Sequence, residues 1–376
     1  MLTTSLIVFL IYNSVYQYTL LSWAIGLAVC HATYSMTSIE QTALLFNSYS
    51  AYDSITLSIV IVSCLVAVWL LSHYASSVLT TNHKVNGEFI GLVVLLCISL
   101  AALASSNGYL TLFVAIELQS LALYIILATN LVPQLMSNTS KVSLSYLINA
   151  AMATALLLFG MSLNSTALIL VAVLWKLGVM PVHVWSLPIL DNQHSIVVSL
   201  YLTLAKYGTL VVLGLLASSS QVAIETLTYV GLLNLVAGNV LGLLQYRYQR
   251  IIVYSGMIQL GYILLVLSSS MSIGLGYFEV YGLYTILLLI LWTVPTYSQL
   301  NAGRLVPATQ LWTMVLVLYV VAGLPYMPMF WTKLDILLSI SSQSVTIALL
   351  STFMSSLIYI RLIKYISFFR YNQPSC

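Results

Sequence analysis

Residues 195–216 read SIVVSLYLTLAKYGTLVVLGLL, and Lys206 is the one charged side chain in the stretch. A hydrocarbon layer about 30 Å thick takes about 20 apolar residues of helix, so this is a membrane span. Lys206 sits near its centre, about eleven residues from either end, and its side chain is too short there to reach water. It needs an internal partner. A charge inside a bilayer costs roughly 2.5–3.5 kcal/mol, and such residues face interior cavities and mark ion or proton paths.

The same pattern fills the chain. Hydrophobic residues make up 61% of 376 positions and charged ones 5%, with a mean hydropathy of +1.04. No soluble domain of this length hides that much apolar surface, and the runs lack the alternation of a β-barrel. The fold class is an all-α polytopic membrane protein. Apolar runs lie near 6–33, 52–74, 88–105, 109–130, 141–162, 165–187, 195–216, 222–246, 250–270, 277–297, 309–339 and 343–367, about 12 transmembrane helices. The run at 309–339 is too long for one straight span and predicts a break.

Charge placement gives a sidedness. Of eleven Lys and Arg residues, eight lie in connections or at span edges: Lys84, Lys141, Arg247, Arg250, Arg304, Arg361, Lys364 and Arg370. Alternating the loops across the membrane puts all eight, with both chain ends, on one side. Positive segments translocate poorly, so that side is the cytoplasm or matrix. The net charge of +3 is too small to suggest nucleic acid. Cys30, Cys64, Cys97 and Cys376 are far apart and suggest neither a zinc nor an iron–sulfur site. The N-terminus has no basic residue before its apolar run, so no signal peptide is read there. The loops carry neither GxGxxG nor GxxxxGK[ST], and none is long enough for an extramembrane domain. No cofactor or metal site is expected in this chain.

Four charges fall inside spans. Glu117 is central in YLTLFVAIELQSLALYIILA, with Ser120 and Tyr124 on its face. Lys176 precedes Pro181 in ALILVAVLWKLGVMPVHVW, where proline removes a backbone hydrogen bond and breaks the helix. Lys206 is the third. Lys333 follows Gly323, Pro325 and Pro328 in VLYVVAGLPYMPMFWTKLDILLS, a second discontinuous helix; Asp335 points in another direction. Non-helical backbone at membrane depth is tolerated only beside protein or water. His183 is either a proton carrier or a hydrogen-bonded structural residue at the break. Met and Tyr read as packing and interface residues.

A weak internal symmetry joins Pro181 to Pro325 and Glu117 to Gln259, at offsets of 144 and 142 residues. Five spans per repeat make two inverted five-helix repeats, each with a proline-broken helix, a transporter signature. The domain reading is 1–87 for N-terminal helices, 88–216 and 217–368 for the two repeats, and 369–376 for the tail.

The stretches FVAIELQSLALY, WKLGVMPVHVW, LAKYG, GNVLGLLQYRYQRIIVYSGMIQLGY and AGLPYMPMFWTK, in this order, resemble the antiporter-like subunits of respiratory complex I, most closely the subunit 2 branch. The resemblance covers roughly residues 50–368. It implies a proton-translocating membrane-arm subunit of NADH:ubiquinone oxidoreductase in the mitochondrial inner membrane. Other membrane-arm subunits, including adjacent antiporter-like ones, and lipids are the implied partners. It implies that Glu117 and Lys206 belong to the first half-channel and its junction with the centre. Lys176 matches a lysine beside the first broken helix, and Lys333 one after the second. Where the family commonly has lysine before the tyrosine, this chain has Ser145; Lys141, one turn earlier, is the candidate substitute. Gln259 stands where many relatives have histidine, and Asp191 is displaced from the usual acidic position. Two other readings stay open: a subunit of an Mrp-type sodium/proton antiporter, and a scaffold whose buried charges only pair helices.

Overall fold

The computed structural model describes residues 87–104, 109–128, 136–193, 195–246, 248–293 and 308–371. These residues are helical or in turns, with no strand among them. The spans expected at 6–33 and 52–74, and the cations Lys84, Arg247 and Arg304, lie outside the described residues. Seven described helices are long and apolar enough to cross a membrane; three shorter apolar helices are Gly91–Leu100, Thr166–Leu177 and Trp312–Ala322. The expected break inside 309–339 is present, at 323–327.

The chain divides into two compact units, Met1–Leu131 and Val132–Cys376. In the first, α1 (Gly87–Ala104) packs on α2 (Tyr109–Ala128), burying Phe89, Val93, Leu96, Ile116 and Leu123. The second unit begins with α3 (Met136–Ser162), which packs on α4 (Thr166–Leu177). After a break and the 3-10 turn His183–Ser186 comes short α5 (Leu187–Asn192). The next span, α6, is composite: Ser195–Leu200, a π-helical turn Tyr201–Ala205, and Lys206–Ser219. Then follow α7 (Gln221–Leu244), α8 (Tyr248–Leu267) and α9 (Met271–Thr293). The chain closes with α10 (Ala308–Ala322), α11 (Pro328–Ser339) and α12 (Ser342–Tyr371).

Two helices form the centre of this second unit. The spans Val197–Ser219 in α6 and Arg250–Leu267 in α8 are each 89% buried, against 39% for those in α3, α7 and α12. A helix surrounded on every side needs no lipid-facing stripe, so it is free to carry polar groups inward.

Small residues set the tightest contact. Gly231, Gly238 and Gly242 on α7 face neighbouring helices, and a Cβ at Gly231 would come within 3.1 Å of the Gly261 carbonyl on α8. A Cβ at Gly261 would in turn meet the Gly231 carbonyl at 3.0 Å. Close backbone approach through small residues is how helices associate where lipid removes the hydrophobic drive. The C-terminal end of α7 is capped by Arg361 from α12, which donates to the Leu243 carbonyl at 2.7 Å and lies over the Tyr246 ring.

Gly231→Val should therefore push α7 from α8 and destabilise the protein by about 1–3 kcal/mol. The thermal unfolding midpoint in detergent should fall. Gly276→Ala, at a position with nothing within 4 Å of its Cβ site, should leave it in place.

Candidate functional site

The first break follows from a helix stop. α4 ends at Leu177, and Gly178 takes a left-handed conformation with φ 67° while its N–H donates to the Trp175 carbonyl at 3.0 Å. Glycine adopts this geometry without the Cβ clash other residues meet. The Met180–Pro181 peptide is cis, and the Met180 N–H, which no helix can use, donates at 2.9 Å to Oδ1 of the fully buried Asn234 on α7. Lys176 lies half-buried in the last turn of α4. His183 places Nδ1 3.3 Å from the Pro181 carbonyl, with its ring 6.3 Å from that of Tyr254.

The second break is built around a lysine. α10 stops at Ala322, Gly323 has φ 75°, and Tyr326 has φ 72°; Pro328 then starts α11, where its missing N–H costs nothing. From α11, Lys333 reaches back and donates to the Ala322 carbonyl at 3.1 Å, one of the groups left unpaired where a helix stops. The side chain is only 5% exposed. Its Nζ also stands 6.0 Å from the ring centre of Tyr262 on α8. A Cβ at Gly323 would lie 2.9 Å from Nζ, so glycine serves both the backbone turn and the space for the ammonium.

Lys206, 7% exposed, opens the second part of α6. Its Nζ lies 5.7 Å from the ring centre of Tyr201, five residues earlier. In an α-helix, residues five apart diverge by about 140° around the axis. The π turn Tyr201–Ala205 takes in an extra residue, and five residues then make roughly one full turn. The local backbone is thus what brings the ammonium over the ring. Tyr201 in turn packs against Tyr146 on α3 and Trp185 in the 3-10 turn, each with ring centres 6.4 Å away.

The other proposed residues sit differently. Glu117 is half-buried on α2 in the first unit, where the Ser120 hydroxyl lies 2.8 Å from its carbonyl and 3.1 Å from Oε2. Tyr124 on the same helix is also half-buried. Lys141 is exposed near the start of α3, and Ser145 turns its hydroxyl back to the Val142 carbonyl at 2.8 Å. Asp335 is exposed.

The sequence reading missed a set of buried tyrosines: Tyr262 on α8, Tyr277 and Tyr281 on α9 and Tyr359 on α12. Gln259 lies among them, bonded to Tyr277 and Tyr359. Tyr262 is held by the Ala348 carbonyl at 3.2 Å and by the Ser351 hydroxyl. Glu279, half-buried on α9, was likewise not singled out. The available signal was spacing: Gln259 and Tyr262 are three apart, Tyr277 and Tyr281 four apart, each pair sharing a helix face. Among the described residues no group of three or more His, Cys, Asp or Glu could hold a metal ion.

Broken spans enclosing buried ammonium groups define a polytopic membrane protein with a polar interior, not a bundle held by apolar packing alone. The chain belongs to the NADH:quinone oxidoreductase/Mrp antiporter transmembrane family, whose model matches residues 135–358. NADH-quinone oxidoreductase subunit N of Orientia tsutsugamushi (strain Ikeda) is 29% identical over 240 residues, 54% of this chain. That match spans 50% of the relative's length. NADH-ubiquinone oxidoreductase chain 2 of Polypterus ornatipinnis is 29% identical over 282 residues, 69% of this chain and 79% of the relative. A chain of respiratory complex I from Thermus thermophilus with bound aureothin shares the fold at TM-score 0.70 and 21% identity, covering 96% of this chain and 89% of that one. A chain of the Mrp complex from Dietzia sp. DQ12-45-1b does so at TM-score 0.70 and 15% identity, over 91% of this chain and 73% of that one.

Gly323→Ala should strain the turn by about 1–2 kcal/mol and displace the lysine that fills its Cβ site. An amine-specific reagent followed by peptide mass spectrometry should then modify Lys333 faster. In the unaltered protein exposed Lys141 should react first, with Lys206 and Lys333 protected.

Proposed function

We propose that this chain is a proton-translocating membrane-arm subunit of NADH:ubiquinone oxidoreductase. The observation that carries the reading is the enclosure of Lys206 and Lys333, 7% and 5% exposed, in a family member with broken spans. In this reading Glu117, Lys176, Lys206 and Lys333 hold and release protons. A change of charge at one alters the proton affinity of the next, and quinone reduction in other subunits drives the sequence. His183 beside the first break is an additional proton carrier, and Lys141 an entry group at the exposed end of α3. The chain supplies no redox centre and binds no cofactor; its partners are adjacent antiporter-like and other membrane-arm subunits, and lipid.

The topology that goes with this reading is about twelve spans containing two inverted repeats. The location is the mitochondrial inner membrane, with both termini on the matrix side, as the one-sided distribution of loop cations supports. The Mrp-type sodium/proton antiporter subunit is the second reading, favoured by the Dietzia fold match at the same TM-score. Purification separates the two: flavin and iron–sulfur clusters co-eluting with the chain support the first, and a complex without them the second.

Lys206→Met and Lys333→Met should each lower proton translocation by roughly tenfold or more in the assembled complex, because a positioned proton-transfer group contributes about 10²–10⁴ in rate. Vesicles given NADH and quinone, with a pH-sensitive dye inside, provide the measurement. Unchanged translocation in fully assembled variants would show that the lysines only tie helices together.

A further inference from the structure

Gln259 lies at the middle of α8 with no exposed surface. Both ends of its amide are engaged. The Tyr277 hydroxyl on α9 donates to Oε1, and Nε2 donates to the Tyr359 hydroxyl oxygen on α12 at 3.4 Å. Tyr359 is also bonded to Ser255, one turn earlier on α8. The Ser255 hydroxyl also lies 2.7 Å from the Ile252 carbonyl.

Tyr277, held in this way, meets the Tyr262 ring edge-on at 6.4 Å between centres. The Tyr262 ring in turn stands 6.0 Å from Lys333 Nζ. A continuous set of contacts therefore leads from the neutral amide to the ammonium. We propose that Gln259 is a positioning residue for Lys333, acting through Tyr277 and Tyr262. The proposal rests on the reading of Lys333 as a proton carrier. A carboxamide suits this place because it donates and accepts at once, yet neither gains nor loses a proton in the neutral range. It holds the scaffold in one arrangement while the charge on Lys333 changes.

The test uses the assembled complex in vesicles, reading protons moved per NADH oxidised. Gln259→Leu should lower that ratio about fivefold, the effect of about one lost hydrogen bond, and Tyr277→Phe should match it. Gln259→Glu adds a readout that simple packing would not move. Its neutral carboxyl donates to Tyr359 and accepts from Tyr277, so coupling should persist at acidic pH. Once ionised it only accepts, and coupling should fall as pH rises, whereas the unaltered complex shows no such step. The titratable groups around this position are the phenols of Tyr277 and Tyr359, then those of Tyr262 and Tyr281, with the Lys333 amine against the Tyr262 ring; Asp335 on α11 is exposed. If Lys333→Met abolishes translocation while Gln259→Leu and Gln259→Glu leave it and its pH profile unchanged, the positioning role is wrong. If Lys333→Met itself leaves translocation intact, the underlying reading of Lys333 fails. Should Gln259→Leu not assemble, the pH profile of Gln259→Glu decides alone.

Discussion

An ammonium group enclosed in a membrane bundle has to be met by polar or polarisable atoms, and the second unit is arranged around that requirement at two points. Insertion of a lysine at mid-span costs roughly 2.5–3.5 kcal/mol. A hydrogen bond involving a charged group returns about 1.5–3 kcal/mol, and a desolvated cation–π contact up to about 2 kcal/mol. Lys333 has both, from the Ala322 carbonyl and the Tyr262 ring, so its burial is roughly offset. The carbonyl is free because the helix stops there, and the helix stops there because Gly323, Pro325 and Pro328 follow. The break and the lysine therefore depend on each other. Closing the helix would remove the acceptor; removing the lysine would leave a helix end unsatisfied.

The two breaks meet the same backbone problem with different chemistry. At the first, an orphan N–H is satisfied by the neutral amide of Asn234. At the second, an orphan carbonyl is satisfied by an ammonium. Hydrogen bonds from an ionised donor are roughly twice as strong as neutral ones. The bond at Ala322 thus has an ionisable member, whereas the bond at Met180 has none.

Features with a strong local signature were readable from residues alone. A lone lysine in an apolar run and a Gly/Pro cluster inside a long span both stand out against 5% charge, and the break at 323–327 falls among the residues that announced it. The π turn at Tyr201–Ala205 had no such signature, because YLTLA is ordinary helical sequence and the extra residue is taken up only in the packed bundle. The buried tyrosines were not singled out for a related reason. In membrane chains they commonly sit at the headgroup level, and hydropathy does not separate that use from burial beside a lysine. Tyr262, Tyr277 and Tyr359 become a set only when α8, α9 and α12 are brought together. Their hydroxyls are separated by up to about a hundred residues of chain. Lys141, the candidate substitute for the lysine missing at Ser145, lies exposed near the start of α3, as its place at a span edge predicts.

Which helix carries a polar residue matters as much as which residue it is. α6 and α7 are similarly apolar, yet one has nearly all of its span residues buried and the other fewer than half. On α7 the buried polar groups Asn234 and Asn239 are confined to the side facing protein, along with its glycines. On α6 and α8 every direction leads to another helix, so Lys206, Gln259 and Tyr262 each find protein in the direction they point. A peripheral helix could hold one inward stripe of such groups. α11 does so with Lys333, which is buried on a helix whose Trp331 and Leu338 are exposed. The polar residues at the middle of α6 and α8 go with full enclosure, and the enclosure depends on α7 approaching α8 through Gly231 and Gly261.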